Sequence, residues 1–97
     1  ALKQAAWKGH KEVVELLLQH GAGINNRDNE GGTALMSAAG EGHTEVVASL
    51  LQHGAGINDK DEDGGTALMS AACEGHEELV ELLLQHGADV HDKDKNG

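Results

Sequence analysis

Residues 31–63 read GGTALMSAAGEGHTEVVASLLQHGAGINDKDED, and residues 64–96 read GGTALMSAACEGHEELVELLLQHGADVHDKDKN. The two stretches are identical at 23 of 33 aligned positions, which chance does not produce over so much of a chain. Residues 1–30, ALKQAAWKGHKEVVELLLQHGAGINNRDNE, match the same register with the first three positions missing. A fixed period of 33 residues predicts a stack of equivalent units.

Each unit reads as a short helix, a turn, a longer helix and a turn-rich loop. We predict the short helices at residues 1–8, 34–41 and 67–74, and the longer helices at residues 11–20, 44–53 and 77–86. In one longer helix the apolar residues that recur at helical spacing are Val46, Val47, Leu50 and Leu51. Thr33 and Thr66 precede short helices and are N-cap candidates, because a hydroxyl can accept hydrogen bonds from the unpaired amides of a first turn.

One such unit cannot cover its own apolar face, so neighbouring units must supply each other's interior. The units resemble the ankyrin repeat family, whose signature is a 33-residue period with T-P-L-H-x-A opening the first helix. Here that motif stands as TALMSA at residues 33–38 and 66–71. The resemblance implies an all-α solenoid of helix-turn-helix units joined by hairpin loops. It covers residues 1–97 as one domain, truncated at both ends, with repeats at 1–30, 31–63 and 64–96.

Some positions depart from the family pattern. Ala34 and Ala67 replace its proline, which removes a pre-set φ at the first helical position and should loosen the helix start. Ser49 stands where Leu16 and Leu82 stand in the other units, so it is either half exposed or a polar defect; burial without a partner would cost about 1–3 kcal/mol. The end units lack polar outer faces. We therefore expect partly uncovered apolar residues at the two ends: Leu2, Val13 and Leu17 at one, Leu79 and Leu83 at the other.

The charge of the chain indicates which partners it can bind. The formal net charge is −10 at pH 7, with a sum of +2 over residues 1–27 and −12 over residues 28–97. Such an acidic surface repels the phosphates of nucleic acids and favours a partner with a basic surface. No apolar run approaches the roughly 20 residues that a membrane span needs. We expect no nucleic-acid partner and no membrane association.

Cys73 is the single cysteine, so no internal disulfide can form. With no visible signal peptide, this fits a reducing compartment, and we expect an intracellular location, cytoplasmic or nuclear. A reactive thiol would need an electropositive setting, whereas Cys73 is followed by Glu74. No glycine-rich phosphate loop follows a strand. We therefore expect no enzyme activity and no cofactor.

Two patterns invite a metal site. DKDEDG at residues 59–64 matches the first half of an EF-hand loop, but the twelfth position is Ser70, which lacks the bidentate carboxylate that calcium needs. A turn built from Asp and Gly is therefore favoured over weak cation binding. Six of the seven histidines recur once per unit, and layers about 8–10 Å apart separate them too widely to share zinc. We expect no metal site. We expect His10, His43 and His76 to order the turn between helices, and His20, His53 and His86 to lie at helix C-termini.

Positions that vary between units, while the framework stays fixed, are not needed for packing and predict where a partner binds. The resemblance places them on a concave surface of loop tips and first helices. The candidate partner-binding residues are Trp7, Lys8, Arg27, Asn29, Glu30, Glu41, Lys60, Glu62, Asp63, Cys73 and Glu74. Trp7 is either an interface anchor or a lid over the uncovered N-terminal layer.

The leading hypothesis is a protein-protein interaction module that binds another protein on this concave face, aided by acidic charge. Two alternatives stay open. The near-identity of two units fits an engineered or consensus-like structural scaffold with no partner of its own. A basic N-terminal end and an acidic C-terminal end fit head-to-tail self-association of the repeat stack, so we expect a monomer or a weak assembly of that kind.

Overall fold

The structure is a computed structural model, and it describes residues 2–29 and 31–88. These residues form six α-helices: α1 (Leu2–Lys8), α2 (Lys11–Gln19), α3 (Ala34–Gly40), α4 (Thr44–Gln52), α5 (Ala67–Cys73) and α6 (Glu77–Gln85). The described part of the chain contains no strand. The predicted all-α repeat fold is confirmed.

The helices lie in two layers. The short helices α1, α3 and α5 lie side by side in one layer, and the longer helices α2, α4 and α6 form the other. Each short helix packs against the longer helix of its own repeat, and α3 contacts both α1 and α5. The middle repeat is therefore covered on both sides, as stacking by translation requires.

The core lies between the two layers and is made of aliphatic side chains. Leu35, Val46, Val47 and Leu50 of the middle repeat are all 0–1% exposed. Burying a side chain of this kind fully contributes about 1.5–3 kcal/mol relative to leaving it in water. Because buried residues of all three repeats belong to one hydrophobic cluster, the core is shared along the stack.

The ends of the stack differ in part from expectation. Val13 is 45% exposed and Leu17 is half-buried, which confirms the prediction at the N-terminal end. Leu2 is only 7% exposed, so the prediction for it is wrong, because it joins the core cluster. The prediction is also wrong for Leu79 and Leu83, which are 1% and 0% exposed, because these positions face the preceding repeat rather than the open end.

The helix starts and ends follow local capping rules. The Thr33 hydroxyl accepts a hydrogen bond from the Met36 amide at 3.4 Å, and Thr66 does the same for Met69 at 3.3 Å, so both predicted N-caps are confirmed. Helix α1 ends at Lys8 as predicted, whereas α2 to α6 each end one residue before the predicted position, because those positions are C-caps. The C-cap residues are Glu41 and Glu74 after the short helices α3 and α5, and His20, His53 and His86 after the longer helices, as expected for these histidines.

The histidine before each longer helix does more than order its own turn. The ring of His43 lies over Gly9, where an added Cβ would come within 2.7 Å of the ring. Gly9 has φ +76, a conformation that residues with a side chain rarely adopt. The His43 Nε2 donates to the Trp7 carbonyl at 2.9 Å, so the histidine joins two repeats.

Ser49 is buried and paired. It is 3% exposed, and its hydroxyl donates to the Glu15 carboxylate on α2 at 3.0 Å. Of the two expectations for this residue, burial is therefore correct, and the partner removes the cost of an unpaired hydroxyl.

Candidate functional site

A cleft opens between the loop tip at residues 61–65 and helix α5, on the side of the stack that the short helices form. Its volume is about 460 Å³. The lining residues are Gly40, Glu41, Asp63, Gly65, Met69, Ser70, Cys73 and Glu74. Four of the predicted partner-binding residues, namely Glu41, Asp63, Cys73 and Glu74, therefore meet in one concavity, which we name the acidic cleft.

The acidic cleft exists because the seam between the second and third repeats carries little side-chain bulk. Gly40 ends α3, and a Cβ there would lie 3.8 Å from the Ser70 Cβ. The loop on the other side is closed by Asp61, whose carboxylate accepts from the amides of Asp63 and Gly65 at 3.0 and 2.8 Å. This closed turn places Asp63 on the rim of the cleft.

The electrostatic character of the cleft is set by three carboxylates. Glu41, Asp63 and Glu74 are exposed, and the lining contains no lysine or arginine. Met69 is half-buried in the same lining and supplies apolar surface. Such a concavity can accept charge-assisted hydrogen bonds from a cationic side chain, while its aliphatic stem packs on the apolar part.

Of the loop carboxylates that resemble an EF-hand, Asp61 closes its own turn and Asp59 lies 3.9 Å from the Arg27 guanidinium. Besides Asp61, the Asp28 carboxylate accepts from the Gly32 amide at 2.8 Å and lies 2.7 Å from the Lys3 ammonium. Across residues 2–29 and 31–88, the structure brings together no group of three His, Cys, Asp or Glu side chains that could hold a metal ion. These contacts favour the interpretation of the aspartates as turn residues.

Helix α1 ends with Trp7 and Lys8, at the positions that Cys73, the last residue of α5, and its C-cap Glu74 hold in the third repeat. The Trp7 side chain is 51% exposed, and Lys8 is exposed as well. An indole that acted as a lid over the N-terminal layer would be largely buried, so this exposure favours a contact surface for a partner. The described contact between Trp7 and the next repeat is made by its backbone carbonyl, which accepts a hydrogen bond from His43.

The loop-tip candidates divide into two groups. The guanidinium of Arg27 donates to the carbonyls of Lys60 and Gly31, the latter at 3.3 Å, and lies 3.9 Å from the Asp59 carboxylate. Arg27 therefore ties the first loop to the second. The other described loop candidates are exposed: Asn29, Lys60, Glu62 and Asp63. Glu30 lies outside the described residues.

Sequence reasoning missed Met69 and Ser70 as lining residues of the cleft. Both are identical to their counterparts in the second repeat, so a search for positions that vary between units cannot mark them. Their place one turn before Cys73 on the same helix is the signal that could have found them, because residues three and four apart share a helix face.

Comparison with known proteins agrees with this architecture. The family model described as ankyrin repeats matches residues 2–94 in three copies. No curated protein matches the chain at a significant level. Among the helices that the structure describes, none is both long and apolar enough to cross a membrane.

Proposed function

The chain belongs to the ankyrin repeat family, and on that premise we propose that it binds a partner protein on the surface formed by its short helices and loop tips. Ankyrin repeats are in general protein-protein interaction modules. The observation that carries the proposal for this chain is the acidic cleft, which gathers predicted contact residues from two repeats and one loop at a concave seam.

The partner presents a basic segment to the acidic cleft. Carboxylates from both repeats line the cleft without a lysine or arginine among them, and the chain as a whole carries a net charge of −10. A negative concavity attracts cationic partners over several ångströms and raises their association rate. Trp7 and Lys8 extend the same row of first-helix positions and give the partner an exposed aromatic anchor.

A comparison of two matched variants tests this proposal. Glu41→Gln with Glu74→Gln removes two charges from the acidic cleft, whereas Glu12→Gln with Glu78→Gln removes two charges from the longer helices. Proteins retained by the wild-type chain are identified, and the affinity of each is measured for both variants. We expect the cleft variant to lose affinity by tenfold or more, as about 1.4 kcal/mol of lost interaction would cause, and the control to bind as wild type.

The salt dependence of binding tests the charge contribution separately. The wild-type affinity should fall as ionic strength rises, because salt screens exposed charges. Affinity that ignores ionic strength, or that falls equally in both variants, would contradict the role of the cleft carboxylates. If the chain retains no specific partner at all, the alternative of a structural scaffold, engineered or consensus-like, is the better account.

A further inference from the structure

The glycines of the described chain have two structural causes, and one glycine has neither. Eight have positive φ, a conformation that residues with a side chain rarely adopt. At four others a built Cβ would come within 3.3 Å or less of another side chain: Gly23, Gly32, Gly56 and Gly65. Across residues 2–29 and 31–88 only Gly40 remains, because its φ is not positive and its Cβ would come no closer than 3.8 Å to the Ser70 Cβ, an ordinary contact distance.

Glycine at position 40 costs stability that the fold does not recover. Gly40 is the last residue of α3, and glycine is less favourable in a helix than alanine, because its backbone loses more freedom on folding. The equivalent positions hold Trp7 and Cys73, so the repeat accepts a side chain there. Because a repeat packs on each side of α3, Gly40 is an internal position of the stack. The cause of this glycine therefore lies outside the packing of the repeats.

Gly40 lines the acidic cleft, where it lowers the floor between two carboxylates. A side chain at this position would begin 3.8 Å from the Ser70 Cβ and take up part of the cleft. Glu41 and Glu74 are exposed members of the same lining. Glu41 is exposed although the third repeat packs beside its own, so this position of the repeat stays accessible within a stack. The cleft therefore combines a low floor with one carboxylate from each of two repeats.

We propose, on the basis of the function proposed above, that Gly40 determines the specificity of the acidic cleft and that the partner's basic segment inserts an arginine side chain over it. The aliphatic stem of the arginine packs on Gly40 and Met69, and its guanidinium donates to Glu41 and Glu74. The stem reaches the floor of the cleft because Gly40 has no Cβ in its way.

The separation of the two carboxylates favours arginine over lysine. Glu41 and Glu74 follow two neighbouring short helices at equivalent positions, and packed helices lie about 8–10 Å apart. Their like charge also drives the two carboxylates apart. A lysine ammonium joins two oxygens that are at most about 5.6 Å apart, twice the length of a charge-assisted hydrogen bond. The fork of an arginine adds its own width to that reach and pairs with a carboxylate on each edge.

A titration with short peptides tests the occupant. The probes are acetylated and amidated peptides of sequence Gly-Ala-X-Ala-Gly, in which X is arginine, lysine or citrulline, the neutral isostere of arginine. Binding to the whole isotope-labelled chain is followed by the shifts of its amide resonances. We expect the arginine peptide to shift the amides of Glu41, Met69 and Glu74, and to bind about fivefold more tightly than the other two peptides.

The three peptides separate this inference from the function on which it rests. Equal binding of the arginine and lysine peptides would overturn the choice of arginine, while a basic segment in the cleft would still stand. Equal binding of the arginine and citrulline peptides would contradict both, because charge would then play no part. No shift of the cleft amides at millimolar arginine peptide would also overturn the inference.

The substitution Gly40→Leu tests the role of the glycine. Leucine fills the floor of the cleft without a change of charge, and Trp7 shows that this position of the repeat holds a large side chain. We expect the arginine peptide to bind about tenfold more weakly. The thermal midpoint should stay at or above that of the wild type, because leucine favours a helix more than glycine does. The control Gln52→Leu places the same side chain at an exposed position of α4 and should bind as wild type.

A second substitution, Gly40→Ala, repeats the test with a single methyl group, whose nearest neighbour is the Ser70 Cβ at 3.8 Å. We expect a smaller loss of affinity, about threefold, and a higher thermal midpoint. A midpoint below that of the wild type in both variants would show that Gly40 serves the fold, and would overturn the inference. Unchanged affinity in both variants, while Glu41→Gln with Glu74→Gln still weakens binding, would overturn the role of Gly40 and leave the proposed function standing.

Discussion

At the scale of single residues, the stack is joined by hydrogen bonds that cross from one repeat to the next. His43 reaches the Trp7 carbonyl, Ser49 reaches Glu15, and the Gly56 amide donates to the Asn25 side chain at 2.8 Å. The Ser49 hydroxyl is buried, so its bond to Glu15 pairs a group that would otherwise lose water without compensation. These bonds therefore fix the register of the seam in addition to the apolar packing.

Replacing a junction histidine should cost stability only where a neighbouring repeat is present. We expect His43→Ala to lower the free energy of unfolding by about 1–2 kcal/mol, because it removes a hydrogen bond and the ring that packs on Gly9. His10→Ala is the matched control, because it occupies the same position of the repeat and is exposed. It should change the free energy by less than about 0.5 kcal/mol. Urea denaturation of both variants checks this, and equal losses would contradict the inter-repeat role.

These residue-scale contacts mark the limit of what the sequence predicts. The position of Ser49 in an apolar column showed that the residue was unusual, but its partner Glu15 is 34 residues away, and no local pattern pairs them. Arg27 likewise reads as an exposed charge, while the fold brings it onto the Lys60 carbonyl. Local chemistry is visible in the sequence, whereas the choice of partner depends on how two helices are placed.

At the scale of elements, short-range rules explain why the helices could be predicted so closely. Thr33 caps α3 as expected, and three of the four apolar residues predicted in α4 are buried, while Leu51 is half-buried. The errors are confined to helix ends, where a cap residue follows the last helical one. Four candidate site residues meet in the acidic cleft, because positions whose residue differs from repeat to repeat are the exposed ones. The same criterion could not predict Met69, because its counterpart in the second repeat is also methionine.

The start of a short helix should respond to two substitutions in opposite directions. We expect Ala34→Pro to raise the free energy of unfolding by about 0.4–1 kcal/mol, because proline pre-sets φ at the first helical position. Thr33→Ala should lower it by about 1 kcal/mol through loss of the cap to Met36. Thermal denaturation followed by circular dichroism measures both. A destabilising Ala34→Pro would mean that the buried Ala34 site has no room for the ring.

At the scale of the whole molecule, the excess of negative charge is expected to lower stability and to favour binding of a basic partner. Residues 28–97 carry a net charge of −12, so compact packing brings like charges closer together. The carboxylates of the acidic cleft are part of this excess. Functional surfaces commonly lower stability in this way, because the groups that serve a partner are not those that serve the fold.

Neutralising the cleft should therefore stabilise the protein while weakening its binding. We expect Glu41→Gln with Glu74→Gln to raise the free energy of unfolding by about 0.5 kcal/mol at low ionic strength. The gain should be smaller in 0.5 M NaCl, because the Debye length falls there to about 4 Å and the charges are screened. Glu12→Gln with Glu78→Gln removes two charges that lie two repeats apart, so a smaller gain is expected. A cleft variant less stable than wild type would show that these carboxylates have structural partners.

Six side-chain hydrogen bonds that join one repeat to the next in the described chain span between 29 and 36 residues. Every such bond therefore links a unit to its immediate neighbour, and none reaches past it. Duplicating or deleting one whole 33-residue segment would keep the histidine and glycine of each seam, but it would change side-chain pairs such as Ser49 with Glu15. Loss of the second repeat through unequal recombination would set Glu15 opposite Leu82, which has no hydroxyl to donate, so a change in repeat number would also select for a change at this pair.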